Sequence, residues 1–434
     1  MLKRYPKGKP ESRLRYSPAV REPFSGVVTA AVIFALTYLV IGLQRIPRLH
    51  IGRPAGALLG AVAMVAWGVI DLESAKRAVD LDTILFLLGM MIVIAYLELS
   101  GFFEMVERQV LGFATSARTL LWLVIGSAGL LSALFMNDTV CLMLTPVIVR
   151  VTRRLKLPPV PYLVALATAS NIGSAATIIG NPQNALIAVR SGIGFLAFLR
   201  GVWPIAAAGL VVECLLLAAI YRRSITREPL VVPPPRDPPA VQRTMLAASL
   251  TAGAGMVAAL IVGVPPAGAA MAAGAAVILA GATRPRDALR QVDWSLLLFF
   301  GGLFVVMRAA DQAGLVQAVA GLAGALEAGP AAVARLGAAV AVLSQMVSNV
   351  PAVMFFVPAL ESLPPASATD LWLALAAFST LAGNLTIIGS VANVIVFETA
   401  RRDGIEVGFF EYLRVGVPLT CATGLLAWVW LAVL

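Results

Sequence analysis

Polar residues that could bind an ion or a small polar solute recur at matched positions in the two halves of an otherwise apolar chain. The first half carries Asn137, Asp138 and Thr139 in succession, and the second half carries Ser348 and Asn349. The two asparagines are 212 residues apart, and in both halves a proline follows nine residues after the asparagine. Amide, hydroxyl and carboxylate groups offer oxygens to a cation and N–H or O–H groups to an anion or oxyacid.

A second polar motif is repeated in the same order, with an offset of 209 residues. Matched amides, hydroxyls and helix breakers in two halves of a hydrophobic protein are typical of transporters built from internal repeats. Two pairs of motifs with nearly the same offset are hard to obtain by chance. The site residues expected from the second motif are Thr177, Gly180, Asn181 and Asn184, with Thr386, Gly389, Ser390 and Asn393 as their counterparts.

Composition predicts that membrane-spanning helices position these residues. Of the 434 residues, 59% are hydrophobic and 13% are charged, whereas soluble globular proteins carry roughly 25% charge. Apolar runs that can span the roughly 30 Å hydrocarbon core recur along the chain, and helices are the expected way to satisfy their backbone in lipid. We therefore predict an all-α polytopic protein of the cell inner (plasma) membrane. The net charge of +10 is attributed to cytoplasmic loops rather than to nucleic-acid binding.

The fourth element of each half, at 118–153 and 331–361, is too long for one plain span and is interrupted at the first motif. The interruptions contain residues whose side chains can cap the following helix, and Pro351 suits a first helical position. We predict re-entrant hairpins, which enter the membrane, turn at mid-depth and return to the same side. Such turns survive only when they are buried in protein or face a water-filled site.

The fifth element of each half, at 161–189 and 370–399, is interrupted at 170–174 and at the second motif. Pro182 removes a backbone donor and frees a carbonyl, so we expect a broken helix whose backbone groups can bind an ion or anion. Each half then crosses the membrane five times, and this odd number makes the second half an inverted repeat of the first. The predicted fold has about ten transmembrane helices plus two re-entrant hairpins.

Domain boundaries follow from this pattern and from a polar, Pro-rich connector between the halves. In this arrangement 20 Lys and Arg residues lie in loops on one side, which is therefore expected to be cytoplasmic. The N-terminal tail, with seven, lies on the other side and opposes that rule. The predicted parts are a basic tail at 1–26, a first repeat at 27–222 (scaffold 27–100, transport part 118–222), a linker at 223–242, and a second repeat at 243–434 (scaffold 243–312, transport part 330–434).

At the motif residues the chain resembles the ion transporter superfamily of arsenite permeases (ArsB), NhaD-type sodium/proton antiporters and divalent-anion/sodium symporters. The resemblance covers about 27–434. At 344–351 (Ser-Gln-Met-Val-Ser-Asn-Val-Pro) and 379–393 it is closest to YbiR-like anion permeases and plant silicon-efflux permeases. It implies a rigid scaffold made by the first three helices of each half, a mobile transport domain made by the remaining elements, and a homodimer with elevator-like motion.

The resemblance also implies roles for the hairpin tips, because Ser-Asn-Thr tips and adjacent helix breaks form the sodium and substrate sites in the symporter relatives. Two features differ from that pattern. Asp138 directly follows the first asparagine, and Val350-Pro351 stands where the second tip would carry threonine. Both differences count against a two-sodium dicarboxylate mechanism.

Asp138 is the acid expected at a tip, and a carboxylate at mid-membrane is a proton-relay candidate. The alternative is a helix-capping carboxylate stabilised by the helix dipole. The favoured hypothesis is a secondary active transporter for a small inorganic anion or oxyacid, such as arsenite or silicate, coupled to protons through Asp138. The alternative is a sodium-coupled anion/dicarboxylate symporter or a sodium/proton antiporter, with sodium at the hairpin tips.

Other activities and partners are constrained by what the chain contains. No Gly-x-x-x-x-Gly-Lys-[Ser/Thr] motif is present, so ATP hydrolysis by this chain is not expected. Paired amides and one histidine do not make a nucleophile–base pair or a metal cluster, so we do not expect an enzyme. No cofactor is expected beyond a coupling proton or sodium. The expected partners are the solute, the lipid bilayer, a second copy of the chain and, for an arsenite-type protein, an ATPase subunit.

Overall fold

The computed structural model describes residues 23–43, 52–225, 229–230, 241–280, 285–321, 324 and 329–433. Most of the predicted tail at 1–26 and of the predicted linker at 223–242 lies outside these ranges. The described residues form twenty α-helices: α1 (Pro23–Leu43), α2 (Arg53–Ala66), α3 (Leu72–Ala78), α4 (Leu81–Leu99), α5 (Phe102–Phe113), α6 (Ala117–Leu134), α7 (Asn137–Arg154), α8 (Val160–Ser174), α9 (Pro182–Ser191), α10 (Phe195–Ile220), α11 (Arg243–Ile261), α12 (Pro266–Ala280), α13 (Pro285–Leu289), α14 (Trp294–Gln312), α15 (Leu315–Ala320), α16 (Pro330–Val347), α17 (Asn349–Glu361), α18 (Pro365–Leu381), α19 (Val391–Arg402) and α20 (Phe409–Val433).

Seven of these helices are long and apolar enough to cross a membrane: α4, α6, α10, α11, α14, α16 and α20. Shorter apolar helices include α1, α2, α12 and α17. A helix satisfies its own backbone hydrogen bonds, which is the requirement for crossing lipid. The prediction of an all-α polytopic membrane protein is confirmed.

Two helix pairs form tight hairpins at the predicted interruptions. Phe135 and Met136 alone separate α6 from α7. Ser348 alone separates α16 from α17, and its φ of 77° is rare for a residue with a side chain. Both second helices contain the matched proline one to three turns further on.

The predicted capping at these hairpins is wrong. The N-cap positions are Met136 and Ser348, and neither side chain accepts a capping hydrogen bond. Asn137 and Asn349 are the first helical residues, so their amides are free to contact other elements instead of the helix end. Pro351 is the third residue of α17 rather than the first.

The predicted helix breaks are present in both fifth elements. Residues 175–181 separate α8 from α9, and residues 382–390 separate α18 from α19 with two 3-10 turns (Ala382–Asn384 and Ile387–Gly389). The break in the first half is shorter than predicted, because residues 170–174 belong to α8.

Packing divides the helices into two groups. In one group α2 packs along α14 and α4 along α12. In the other, α6 packs on α8, α16 on α18 and α10 on α20. The contacts of α7 with α19 and of α17 with α9 bring each hairpin against the broken helix of the other half. The tips and breaks therefore meet inside the second group.

Glycine permits the closest approaches within the first group. A Cβ added at Gly89 of α4 would lie 2.4 Å from the carbonyl carbon of Ala270 in α12, and one at Gly302 of α14 would lie 2.7 Å from that of Ala57 in α2. Small residues let the backbones of membrane helices pack this closely.

We expect Gly89→Ala to destabilise the protein by about 1–3 kcal/mol, because the new methyl group must push α4 away from α12. The measurement is thermal unfolding of the purified protein in detergent. Gly255→Ala in α11 is the matched control, since a Cβ there meets no atom within 4 Å. Equal melting temperatures for the two variants would contradict the close packing of α4 on α12.

Candidate functional site

The break between α8 and α9 is held by the side chain of Asn184. Its Nδ2 donates to the carbonyl oxygens of Ser174 at 3.2 Å, Ala175 at 3.3 Å and Thr177 at 2.9 Å. These carbonyls lie where the helix ends and have lost helical partners. Asn184 is fully buried, so one amide replaces the hydrogen bonds that the interrupted helix cannot make.

The break between α18 and α19 is held in the same way by Asn393, 209 residues after Asn184. The Asn393 Nδ2 donates to the carbonyl oxygens of Gly383 at 2.7 Å and Thr386 at 3.1 Å. Gly383 and Thr386 each lie 209 residues after their counterparts in the first break. The repeated motif therefore codes for a repeated structure.

Each break is also tied to the broken helix of the other half. The Asn181 side chain caps α9 and donates from Nδ2 to Thr380 Oγ1 in α18 at 3.2 Å. Its counterpart Ser390 donates from Oγ to Asn171 Oδ1 in α8 at 2.9 Å. Thr380 lies 209 residues after Asn171, so the two contacts are reciprocal.

Asn171 is the hub of the polar cluster. Its Oδ1 accepts from Asn137 Nδ2 at 3.2 Å and from Ser390. Its Nδ2 donates to Asn384 Oδ1 at 2.8 Å and to Asn393 Oδ1 at 3.0 Å. All the hydrogen-bonding capacity of this fully buried amide is used. One side chain thus joins the first hairpin tip to both broken helices.

The first hairpin tip is docked on the first break by its backbone. The Asn137 N–H donates to the Gly180 carbonyl at 2.9 Å, and Ser170 Oγ donates to the Asn137 carbonyl at 3.3 Å. Thr177 Oγ1 donates to the Ala133 carbonyl at 2.5 Å. The Asn137 Oδ1 is buried without a hydrogen-bond partner. This oxygen remains available to a bound solute or ion.

The second tip contacts the second break through side chains. With its Nδ2 turned toward them, Asn349 donates to the carbonyls of Gly389 at 3.0 Å and Ser379 at 3.1 Å. Gln345 donates from Nε2 to the Ala382 carbonyl at 2.8 Å and accepts from Thr386 Oγ1 at 2.9 Å. Each tip asparagine therefore reaches the matched glycine of its own half, Gly180 or Gly389.

Asp138 and Thr139 lie next to Asn137 and are half-buried. No hydrogen bond to the Asp138 carboxylate is present among the described residues. The charged groups whose fields reach it are Arg53 and Asp293, at the N-termini of α2 and α14. Asp138 thus combines partial access with a nearby cation, and it lies at the edge of the amide cluster.

Two cavities flank the cluster. One of about 420 Å³ borders the first tip at Leu134 and Phe135 and is otherwise lined by Ile179 and by apolar residues of α4 and α11. A second, of about 130 Å³, lies between α9, α14 and α17 and is lined by Arg190 and Glu361 among others. The larger cavity offers almost no polar groups, so the amide cluster is the better candidate for binding a polar solute.

Most of the predicted site residues meet in one buried cluster: Asn137, Thr177, Gly180, Asn181, Asn184, Asn349, Thr386, Gly389, Ser390 and Asn393. Asp138, Thr139 and Ser348 border it. The prediction omitted Asn171, Gln183, Gln345 and Thr380. Polar amides within apolar helical segments were the available signal for the first three.

The comparisons with known proteins assign the chain to a family. A family model described as a citrate transporter (CitMHS) matches residues 31–378. The chain belongs to this family. It is accordingly a multi-pass membrane transporter and not an enzyme, and the plasma membrane is its expected location.

Two curated relatives align over most of the chain. It is 30% identical to "Silicon efflux transporter LSI3" of Oryza sativa subsp. japonica, covering 91% of this chain and 95% of the relative. It is 29% identical to "Inner membrane protein YbiR" of Escherichia coli, covering 83% and 90%. These matches confirm the family resemblance seen in the motifs.

A solved structure supports the fold. The transporter YdaH of Alcanivorax borkumensis superposes with a TM-score of 0.50, covering 94% of this chain and 97% of that chain. At 16% sequence identity this likeness concerns the fold alone.

Proposed function

We propose that the protein is a secondary active transporter that moves a small inorganic oxyacid or anion, of the arsenite or silicate kind, by proton-coupled alternating access. The observation that carries this proposal is the amide cluster around Asn171. It joins both broken helices to the first hairpin tip in the interior of an apolar protein. Polar groups buried in a membrane protein are expensive and are a functional-site hypothesis by default.

The chemistry of the cluster favours an uncharged or weakly charged oxyacid. None of the described side chains hydrogen-bonded in the cluster is Lys, Arg or His. Amides and hydroxyls can donate to and accept from the O–H groups of silicic or arsenous acid, which are mostly undissociated at neutral pH. A tricarboxylate such as citrate would bring several charges into a site without a cation, which costs much more free energy. The rice relative's name, a silicon efflux transporter, points the same way.

The matched structures support an inverted repeat with two re-entrant hairpins. The reciprocal contacts of Asn181 and Ser390, and the two packing pairs α2–α14 and α4–α12, have the form that a pseudo-two-fold axis in the membrane plane produces. With ten crossings, both tips then lie at mid-depth, where their backbone is buried in protein.

The division of the helices into two packing groups supports elevator-like motion. The group around α4–α12 and α2–α14 would be the scaffold, at 27–100 and 243–312. The hairpins and broken helices would be the transport part, at 118–222 and 330–434. A second copy would bind through the scaffold. The apolar cavity beside the first tip gives the transport part room to move.

Proton coupling is preferred to sodium coupling for a structural reason. The break carbonyls that a sodium ion would use already accept from Asn184 and Asn393. The oxygens that remain at the first tip are Asn137 Oδ1 and the carboxylate of Asp138. A carboxylate and one amide oxygen can exchange a proton but supply few of the ligands that a cation needs.

The proposal is tested by flux in proteoliposomes containing the purified full chain. Silicic acid, arsenite, sulfate and citrate are offered separately, under an imposed pH gradient and under an imposed sodium gradient. We expect silicic acid or arsenite to move and the pH gradient to drive accumulation. Flux driven by sodium, or citrate as the solute moved, would replace the proposal with a sodium-coupled symporter.

The side with few basic loops has an ion-pair contact between the two proposed parts. Arg190 at the end of α9 contacts Asp80 before α4 at 3.4 Å and Glu361 at the end of α17 at 2.8 Å. Asp80 belongs to the proposed scaffold, and the other two residues to the transport part. Motion of one part along the other must break the Asp80–Arg190 contact.

We expect Asp80→Asn to favour opening on that side, because the variant loses an ion pair present in the closed arrangement. The labelling rate of Met354→Cys, which lines the adjacent cavity, by a membrane-impermeant maleimide should rise about two- to five-fold, since a partly exposed pair contributes roughly 0.2–1 kcal/mol. A chain without the introduced cysteine gives the background. Glu73→Gln is the matched control, because Glu73 pairs with Arg77 within α3. Equal rates for both variants would remove the closing role of Asp80.

A further inference from the structure

Glu213 is an acid buried in the transport part, away from the hairpin tips. It lies on α10 with no exposed surface. One turn earlier, Gly209 packs against Ile172 of α8 and Thr423 of α20. Glu213 therefore lies where α10, α8 and α20 meet, and nothing in the proposed transport cycle uses it so far.

The hydrogen bonds around Glu213 indicate where a proton lies. Thr168 Oγ1 is 2.8 Å from the Val164 carbonyl, four residues earlier in α8, and 2.6 Å from Glu213 Oε1. A hydroxyl has one hydrogen to donate. If that hydrogen goes to Val164, the short contact with Glu213 needs a second hydrogen, which the carboxyl group itself can supply. Oε1 then donates to Thr168, and Thr168 donates to Val164.

The other carboxyl oxygen agrees with a neutral acid. Glu213 Oε2 is buried and has no hydrogen-bond partner. A carboxylate left this way would lose its hydration without compensation, whereas the carbonyl oxygen of a protonated acid loses much less. A carboxylic acid kept neutral and donating a hydrogen bond in an apolar site is a known functional arrangement.

No cation compensates Glu213 among the described residues. The groups that interact with it electrostatically are the phenol of Tyr412 and the thiol of Cys214. None of the other titratable or charged groups on the helices packed against it is hydrogen-bonded to Glu213. These groups are Arg118 on α6, Tyr162 on α8, Arg200 on α10 itself, Asp370 on α18, and Glu411, Arg414 and Cys421 on α20.

Glu213 is connected to the amide cluster through one residue. The carbonyl of Thr168, whose hydroxyl contacts Glu213, accepts from Asn384 Nδ2 at 3.3 Å. Asn384 Oδ1 in turn accepts from Asn171 Nδ2 at 2.8 Å. A change at Glu213 that moves α8 at Thr168 is therefore transmitted to the hub of the cluster.

We propose that Glu213 is a second proton-binding site, in which the carboxyl group takes up a proton at Oε1 and donates it to Thr168 Oγ1. Release of the proton leaves a carboxylate, and this charge requires α8 or α20 to move and admit water. The occupied site keeps the transport part packed as in this structure. This inference rests on the proposed proton-coupled transport and names one group that carries the proton.

The test is an infrared pH titration of the purified full chain in lipid, which needs no transported solute. Wild type, E213Q, T168V and the control E98Q are compared, and the same four are assayed for pH dependence of silicic acid and arsenite flux. We expect wild type and E98Q to show the carbonyl band of a protonated carboxylic acid, and this band to disappear as the pH rises. E213Q should lack the band, T168V should shift its frequency, and E213Q should lose the pH dependence of flux.

Two results would overturn the proposal. One is the absence of this band from wild type. The other is a band that persists throughout the pH range in which flux changes, which would make Glu213 a permanently neutral packing residue. If the band titrates while no solute follows a pH gradient, the proton site stands and the proposed function fails. If flux is proton-driven while the band does not titrate, the proposed function stands and Glu213 is overturned. Because wild type and T168V decide the first point, a failure of E213Q to fold does not leave the proposal untested.

Discussion

Asn171→Leu is expected to reduce solute flux at least about 100-fold and to destabilise the protein by about 4 kcal/mol or more. Leucine has a similar volume but no polar atoms, so the change leaves four buried partners of Asn171 without a hydrogen bond. These partners are Asn137, Ser390, Asn384 and Asn393. Each orphaned buried group costs about 1–3 kcal/mol, and every 1.4 kcal/mol of lost solute binding is about tenfold.

The measurements are flux in proteoliposomes and thermal unfolding in detergent. Thr145→Val is the matched control, because Thr145 is also fully buried but its hydroxyl bonds only to the Cys141 carbonyl, four residues earlier in α7. Such back-bonds contribute little to helix stability. Normal flux in Asn171→Leu would show that the amide cluster is only a structural core.

Asp138→Asn is expected to abolish accumulation driven by a pH gradient. Asparagine resembles the protonated acid in shape but cannot exchange a proton, so the inside and outside solute concentrations should equalise under any imposed gradient. The carboxylate of Asp138 is half-buried at the first tip and close enough to sense the charge of Arg53. It therefore has both a route for protons and a charge that responds to them.

The control for Asp138→Asn is Asp311→Asn, which changes a carboxylate that pairs with Arg308 on α14 at 3.2 Å. That variant should keep the accumulation seen in wild type. Accumulation by Asp138→Asn equal to that of wild type would remove the proton from this residue, and Glu213 would then be the remaining carrier to examine.

The sequence predicted the elements better than the contacts. Apolar length located the spanning helices, and the offset repeats located the hairpins and breaks, because helix formation and interruption are local properties. Capping failed because Asn137 and Asn349 begin their helices one residue later than a cap would. That difference of one residue turns each amide away from the helix end and toward the other elements.

The hub of the site could not be found by local pattern. Asn171 lies inside α8, and its partners come from four other segments, two of them more than 210 residues away. Glu213 was set aside for the same reason, since its partner Thr168 is 45 residues earlier and on another helix. The offset rule could have paired Asn171 with Thr380, and searching both helices for polar residues at that spacing would have raised both.

The most direct test locates the solute itself. Crystals of the wild-type protein would be grown with whichever heavy-atom oxyacid the flux assay accepts, arsenous acid or germanic acid, and the heavy atom found from its anomalous scattering. We predict one peak within hydrogen-bonding distance of the tip residues Asn137 or Asn349, beside the amide cluster. A peak elsewhere in a protein that transports the same compound would contradict the claim that the two tips and the two helix breaks form the transport site.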